Sequence, residues 1–166
     1  IIEDTARSAV DLLGAPHLPG GKTKVILEPS VVGLLSHEAI GHTVEADFVM
    51  SGSVAAGKIG QRVATDLVTL CDSGAAEFGP NPGGLMTFDD EGVPTENTVI
   101  IENGIFKSYL HNRESAAHFD VQPTGNARAW LYHDEPLIRM RNTYISPGET
   151  SFEQMVETTD EWIRER

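Results

Sequence analysis

Two histidines and a glutamate stand close together in the segment 31–50, which reads VVGLLSHEAIGHTVEADFVM. His37 and Glu38 are adjacent, and His42 follows five residues after His37. Zinc binds imidazoles together with a third protein ligand and keeps one position for a water, whose pKa falls to about 7. The motif therefore predicts one zinc ion per subunit, held by His37 and His42. Glu38 is placed to take a proton from a water that attacks a peptide carbonyl.

The residues around this motif are apolar on nearly every side of a helix, so we expect the segment to be buried. Burying carboxylates and imidazoles costs several kcal/mol each unless a partner compensates them, and a divalent metal would compensate them together. Glu45 lies three residues after His42, on the same helical face. It is a candidate either to orient His42 by a hydrogen bond or to be a metal ligand itself.

The spacing of the two histidines does not fit a regular α-helix. At about 100° per residue, positions five apart lie about 140° from each other, whereas the four-residue spacing of zinc peptidases gives about 40°. The extra residue must be absorbed by a local bulge, and Gly41 is where the backbone accommodates one most easily. We expect a π-type distortion between Glu38 and His42 that turns both imidazoles to one centre.

Local patterns predict the elements that position this segment. Helical spacing of apolar residues predicts a helix from Ile2 to Leu13, and Ser151 begins a capping box ahead of an apolar stripe that runs to Trp162 and Ile163. Strands are expected over 23–28, 62–71 and 137–145, and a hairpin over 98–109 that turns at Asn103-Gly104. The fold class that follows is α+β. It has an antiparallel sheet with hairpins, a buried central helix with the zinc motif, and amphipathic helices near both ends.

Composition excludes several classes of protein. The 166 residues are 40% hydrophobic and 22% charged, as in a folded domain. The net charge of −13 repels nucleic acid and anionic membrane surfaces, so neither is an expected partner. The sequence has no apolar run of about 20 residues and no signal-peptide pattern, so we expect a cytoplasmic protein. The single cysteine, Cys71, cannot form an internal disulfide.

Five stretches of the chain stand out in order: SHEAIGHTVEADF (36–48), AGKIGQRVATDLVTL (56–70), FDDEGVPTENTVIIENGIFKSYL (88–110), PTGNARA (123–129) and MRNTYISPG (140–148). Together, and in this order, they resemble the TldD/PmbA family of zinc metallopeptidases. The resemblance implies that residues 1–166 are one internal segment, the start of a catalytic C-terminal domain with its preceding helix, and that flanking sequence is missing at both ends. The histidine motif is similar to the TldD-type subunit, because the PmbA-type partner lacks it.

The resemblance also implies the roles of the site residues. His37 and His42 would bind zinc, Glu38 would be the catalytic base, and the third ligand would be a cysteine beyond this chain, at a position that Cys71 does not match. The implied activity is hydrolysis of unfolded or small peptides. The implied assembly is a PmbA-type partner subunit or a homo-oligomer that encloses a chamber. In one departure, the glycine- and arginine-rich run of the family is replaced here by Ala-Arg-Ala-Trp at 127–130.

Other candidate residues have an ordinary structural explanation beside a functional one. The acidic turn at 89–92 is expected to bond its own backbone, with a second metal site as the alternative. Asn126 and Arg128 are possible substrate-binding residues in a loop. Cys71 is expected to be a small buried strand residue. The remaining candidates are expected to be surface histidines (His111, His118 and His133) and aromatic anchors of the core or of an interface (Trp130, Phe152 and Trp162).

Two functions remain open from the sequence. The first is a zinc-dependent peptidase that holds an extended substrate along the edge of an antiparallel sheet beside the zinc helix. The second is a non-catalytic peptide-binding or assembly module with a structural metal or none. Exchange of Glu38 for glutamine separates the two, because only a peptidase depends on that carboxylate. Binding of gyrase or DNA, which an old name of the family suggests, fits poorly with a net charge of −13.

Overall fold

The computed structural model describes residues 1–17, 20–22, 24–74 and 83–159. The chain divides into two compact units, Leu27–Thr150 and a smaller one built from the segments 1–26 and 151–166. Helices and antiparallel sheets occur together, which confirms the predicted α+β class. Among the described residues, no helix is both long enough and apolar enough to cross a bilayer.

The described residues of the smaller unit form two helices, α1 (Ile2–Leu13) and α5 (Phe152–Glu157). The capping box that begins α5 is confirmed. The Gln154 N–H donates to Ser151 Oγ at 3.2 Å, and the Ser151 N–H donates to Gln154 Oε1 at 2.9 Å. The predicted continuation of the apolar stripe to positions 162 and 163 lies outside the described residues.

The larger unit carries the metal motif. Its described helical segments are α2 (Pro29–Leu35), a π-helical turn (Ser36–Gly41), a 3₁₀ turn (His42–Val44), α3 (Ala46–Met50) and α4 (Arg113–Phe119). Its described strands are β1 (Leu70–Ser73), β2 (Asn97–Glu102), β3 (Ile105–Phe106), β4 (Ala127–Arg128), β5 (Leu137–Ile138) and β6 (Asn142–Ile145). Within this part of the chain, one antiparallel sheet has the order β3-β2-β1-β6, and β4 pairs with β5 in a second sheet.

The predicted hairpin is confirmed between β2 and β3. Both turn residues have positive φ, 47° at Asn103 and 78° at Gly104, as a type I′ turn requires. Gly104 is also needed for space, since a Cβ there would lie 2.4 Å from the carbonyl oxygen of Ala64. The turn therefore fixes both the pairing of the hairpin and its packing against the preceding loop.

The three other predicted strands are wrong in length or in type. Residues 24–28 belong to no strand, because no described strand pairs with them. Of the segment 62–71, only the last two residues enter β1, while Arg62 makes an isolated bridge with Ile105. The segment 137–145 divides into β5 and β6, which join different sheets. The division occurs where the Arg141 N–H donates to the Asp72 carboxylate at 2.8 Å instead of to a strand.

The segment with the metal motif is buried on one side, not all round. Its second half packs into a core that includes Val44, Ala46, Val49, Leu70, Ile100, Phe106, Leu110 and Met140. Its first half leaves Leu34 60% exposed and Leu35 48% exposed. The apolar surface of α2 therefore does not continue into the core that α3 joins.

A buried ion pair joins β1 to the residue before β6. Arg141 Nε donates to Asp72 Oδ2 at 2.8 Å, and both side chains are almost fully buried. The same carboxylate accepts hydrogen bonds from Asn126 Nδ2 at 2.8 Å and from Thr143 Oγ1 at 2.9 Å. These bonds hold the edge strand β6 and the loop before β4 at fixed positions beside the metal motif.

Candidate metal centre

The π-helical turn brings the two histidines of the motif together. The backbone N–H of His42 donates to the carbonyl oxygen of His37, which is the five-residue bond that defines a π-helix. Residues five apart therefore lie one above the other, whereas an α-helix would place them about 140° apart. The distortion that the spacing predicts between Glu38 and His42 is confirmed.

The side chains of this turn form a group that fits a metal. One donor atom from each of His37, Glu38 and His42 lies within 4.8 Å of the others. The two imidazole rings are 4.8 Å apart between centroids and nearly perpendicular, at 84°. Imidazole nitrogens and carboxylate oxygens are ligands that zinc takes in proteins, so the donor atoms of this group fit a zinc ion. In the described part of the chain, no other group of His, Cys, Asp and Glu meets this criterion.

Gly41 leaves space for the side chain of Met140, and its backbone conformation is an ordinary one. Its φ of −53° and ψ of −54° are open to any residue. A Cβ at this position would lie 1.8 Å from the sulfur of Met140, which is itself buried. The thioether therefore packs directly against the backbone between the two histidines. The spacing of the two histidines indicated the same glycine, but because of its backbone freedom.

Glu45 lies beside His42 and is completely buried, with 0% of its surface exposed. Its Oε2 is 3.3 Å from Nδ1 of His42, so the opposite ring nitrogen, Nε2, is left for a metal. Burial raises the pKa of Glu45, and the hydrogen bond with His42 and the charges of His42 and Arg139 oppose that rise. Its second oxygen, Oε1, has no hydrogen-bond partner among the described residues.

The backbone on both sides of Glu45 is fixed to the segment after β3. The Leu110 N–H donates to the carbonyl of Val44 at 2.9 Å, and the Ala46 N–H donates to the carbonyl of Leu110 at 3.0 Å. The Glu45 carboxylate is therefore held against His42 by the main chain as well as by its own contacts.

Arg139 also lies in this region, which could not be predicted from the sequence. Its Nη1 lies 4.0 Å from Glu45 Oε2, and its side chain is 42% exposed. In the predicted strand over 137–145, Arg139 and Arg141 would share one face, but Arg141 is buried in the ion pair with Asp72. No pattern in the sequence distinguishes Arg139 from Arg141, because their partners, Glu45 and Asp72, lie far away along the chain.

The two proposed substrate residues, Asn126 and Arg128, have different surroundings. Asn126 is buried: its Nδ2 donates to Asp72 and to the carbonyl of Arg139, and its Oδ1 accepts from Thr124 Oγ1. A substrate contact by this amide would require those bonds to break. Arg128 is exposed and donates from Nη2 to the carbonyl of Met140 at 2.9 Å. It is thus attached to the segment that packs on the π-helical turn.

The acidic turn has the structural role expected of it. Asp89 Oδ1 accepts the backbone N–H groups of Glu91 at 3.0 Å and Val93 at 2.8 Å, and Gly92 has a φ of 74°. Asp89 Oδ2 accepts the Ala127 N–H at 3.0 Å, which connects the turn to β4. These carboxylate oxygens are satisfied by the main chain.

The other histidines lie outside the metal-binding group. His111 is buried, so its prediction as a surface residue is wrong, and burial lowers its pKa to about 4. It lies in an aromatic cluster with Tyr109 and Phe119, and its Nδ1 is 3.1 Å from Ser115 Oγ. His118 and His133 are exposed, as predicted.

The remaining candidates are one cysteine and three aromatic residues. Cys71 is a buried residue of β1, as predicted. Trp130 is 91% exposed and Phe152 is also exposed, so neither is a core residue. Trp162 lies outside the described residues.

Several known proteins have sequences that are similar to this chain. The model of a family described as PmbA/TldA metallopeptidase C-terminal domain matches residues 20–164. A metalloprotease of Methanocaldococcus jannaschii is 47% identical over 156 residues, which cover 93% of this chain and 34% of that protein. A zinc metalloprotease TldD homolog of Saccharolobus solfataricus is 42% identical over 137 residues, which cover 82% of this chain and 30% of that protein.

A solved structure shares the fold. It is a protein of Thermotoga maritima described as a modulator of a DNA gyrase. The match has a TM-score of 0.74 and 33% identity, and it covers 91% of this chain and 33% of that one. The chain thus spans about a third of the length of the proteins that it matches.

Proposed function

The chain belongs to the PmbA/TldD family of metallopeptidases, and on this premise we propose that it carries the catalytic motif of a zinc-dependent peptidase acting on unfolded or small peptides. The observation that carries the proposal is the π-helical turn, which gathers two imidazoles and a carboxylate within 4.8 Å. A metal that only stabilised the fold would not need a carboxylate exposed to solvent at the same point.

Each residue of the turn has a distinct role in this proposal. His37 and His42 would hold one zinc ion per subunit through a nitrogen of each ring. When bound, the ion would lower the pKa of a water and polarise the carbonyl of the scissile peptide bond. Glu38 accepts the proton of the attacking water and delivers it to the leaving amine. Its exposure at the surface of the turn leaves room for a substrate beside it.

Two imidazoles leave zinc short of the three protein ligands that catalytic sites commonly provide. We assign the third ligand to the cysteine that the family resemblance implies beyond this chain. Glu45 lies behind the ring of His42, where it orients the imidazole and fixes the nitrogen that carries the proton. Cys71 is in β1 and is not part of the metal-binding group.

We propose that an extended substrate binds beside the turn, along strand β6. Among the described residues, this strand is the last of its sheet, and it contacts both α2 and the π-helical turn. The Ser146 N–H donates to the carbonyl of Thr69 at 2.8 Å, and antiparallel bonding alternates from there. The N–H and C=O groups of Thr143 and Ile145 therefore face away from β1. We propose that the substrate backbone pairs with them.

Strand pairing predicts a two-residue period that peptide chemistry can detect. Successive backbone amides of an extended peptide point to opposite sides, so N-methylation should weaken binding at every second position only. Competition by a series of singly methylated peptides measures this directly. Equal effects at all positions would argue against pairing with β6.

The catalytic assignment is tested by peptide hydrolysis with matched variants. We expect Glu38→Gln to abolish hydrolysis of a fluorogenic peptide while zinc binding is retained. Glu102→Gln is the control, since Glu102 is an exposed carboxylate on the hairpin that pairs with Lys107 at 3.0 Å. Hydrolysis that survives in Glu38→Gln would exclude this residue as the base. Zinc binding without hydrolysis in any form would favour the non-catalytic module.

We also propose assembly with a second subunit, as the resemblance to the TldD side of the family implies. A PmbA-type chain would lack the histidine motif and complete the enclosure around the substrate. Light scattering of the chain alone and mixed with such a subunit tests this. A stable hetero-oligomer is expected, and a chain that stays monomeric in both samples would contradict the proposal.

A further inference from the structure

We propose that Arg139 is a positioning residue of the metal site and that it acts on His42 through Glu45. This inference rests on the proposed function, because it concerns the affinity of the same two histidines for zinc. It assigns a role to a residue more than ninety positions away from the motif in sequence.

A continuous series of contacts connects the three side chains. Arg139 Nη1 lies 4.0 Å from Glu45 Oε2, and the same oxygen lies 3.3 Å from Nδ1 of His42. With a proton on Nδ1, the imidazole donates to the carboxylate and presents Nε2 to the metal. The position of the carboxylate oxygen therefore decides the orientation of the His42 ring.

The Glu45 carboxylate needs a nearby positive charge when no metal is bound. It is completely buried, and within the described residues its Oε1 accepts no hydrogen bond. A buried carboxylate without compensation is costly, and Arg139 is the guanidinium that the structure places against it. Without that charge, we expect the carboxylate to turn away from His42 toward solvent or polar groups.

The backbone of Arg139 is held rigidly at this place. Its N–H donates to the carbonyl of Asn126 at 2.8 Å, and its carbonyl accepts from Asn126 Nδ2 at 2.8 Å. Asn126 is itself bonded to Asp72 and Thr124. The buried asparagine thus holds the arginine that faces the metal site, which gives Asn126 a function without any contact to substrate.

The guanidinium is also held by the chain next to it. Its Nη1, which lies 4.0 Å from Glu45 Oε2, also donates to the carbonyl of Ile138 at 2.8 Å, and this bond restricts the movement of the guanidinium. The partial exposure of the side chain means that its removal leaves little empty volume in the core. Loss of Arg139 should therefore change the metal site more than it changes the stability of the fold.

Zinc affinity of the protein, measured by competition with a chromophoric chelator, tests this proposal. We expect Arg139→Ala to weaken zinc binding about tenfold, the lower end of what loss of an outer-sphere partner costs. Arg139→Lys should recover most of the loss, because a cation remains near Glu45. Arg113→Ala is the control for net charge, since Arg113 is an exposed arginine on α4. It should bind zinc within about twofold of the wild type.

A double-variant cycle separates action through Glu45 from a general effect. If Arg139 acts through this carboxylate, Arg139→Ala should have no additional effect on zinc affinity in the Glu45→Gln background. The ¹⁵N shifts of the His42 ring in the metal-free protein give a second readout. We expect the proton on Nδ1 in the wild type and a mixture of tautomers in Arg139→Ala.

The outcomes distinguish this inference from the proposed function. A wild type that binds no zinc would overturn both. A wild type that binds zinc, together with unchanged affinity in Arg139→Ala or equal losses in the Arg113→Ala control, would overturn the role of Arg139 alone. Additive effects of Arg139→Ala and Glu45→Gln would also overturn it, because they would show that the arginine acts by another route.

Discussion

The backbone N–H of His42 donates to the carbonyl oxygen of His37, and this bond brings the two histidine side chains close to each other. It closes a π-helical turn, so two imidazoles separated by five positions lie on the same side of the chain. A regular α-helix with the same sequence would direct the two side chains to different neighbours. The local backbone distortion is thus what converts a pattern of residues into a metal-binding group.

Gly41→Ala should disturb this turn. A methyl group would overlap the sulfur of Met140, which would lie 1.8 Å away. We expect a loss of about 1–3 kcal/mol in the free energy of unfolding, the usual cost of overpacking a core, and weaker zinc binding. Chemical denaturation and chelator competition measure the two effects. The double variant Gly41→Ala with Met140→Ala should bind zinc better than Gly41→Ala alone, and no recovery would show that Met140 is not the obstacle.

Asp72→Asn should be strongly destabilising. The exchange leaves the buried guanidinium of Arg141 without its carboxylate partner. Breaking a buried ion pair in this way typically costs about 3–5 kcal/mol. The exposed pair of Glu102 with Lys107 provides the comparison, and Glu102→Gln should change stability by less than about 1 kcal/mol. Urea denaturation at the same pH compares the stabilities of the two variants. Small and similar losses of stability in both would contradict the structural role given to Asp72.

His111 should make the stability of the protein depend on pH. Burial lowers its pKa to about 4, below the ordinary value of 6.5 that it has in the unfolded chain. The unfolded chain therefore binds the proton first, and stability is lost as the pH falls from about 6.5 toward 4. The shift corresponds to about 3 kcal/mol at most. Urea denaturation across this range should show the loss in the wild type and a smaller one in His111→Phe, whereas parallel curves would exclude His111 as the cause.

Trp130→Ala should leave the stability almost unchanged. The side chain is 91% exposed on the loop between β4 and β5, so its removal creates no cavity. We expect a change within about 0.5 kcal/mol in the free energy of unfolding, as for other surface exchanges. A loss of several kcal/mol, measured by thermal or urea denaturation of the isolated chain, would show that this tryptophan is buried in solution.

Features that depend on local geometry could be predicted from the sequence. The spacing of His37 and His42 required a distorted helix, the Asn103-Gly104 turn required a hairpin, and the Ser151 motif required a helix start. Each of these follows from the conformations open to a few neighbouring residues.

Features that depend on contacts between distant residues could not be predicted in this way. The packing of Met140 on Gly41 and the approach of Arg139 to Glu45 each join residues more than ninety positions apart. The segment 137–145 has the alternation of a single strand, but it forms β5 and β6 in two different sheets. Between them, the Arg141 N–H donates to the Asp72 carboxylate instead of to a strand. The burial of His111 could not be predicted either, because the fold brings aromatic residues around its side chain.

Zinc stoichiometry of the purified full-length protein tests the central claim most directly. Elemental analysis of the wild type, His37→Ala, His42→Ala and Glu38→Gln compares both histidines with the carboxylate between them. We predict about one zinc per chain in the wild type and in Glu38→Gln, and almost none in either histidine variant. A wild type without zinc, or histidine variants that retain it, would contradict the claim that the π-helical turn forms a zinc site.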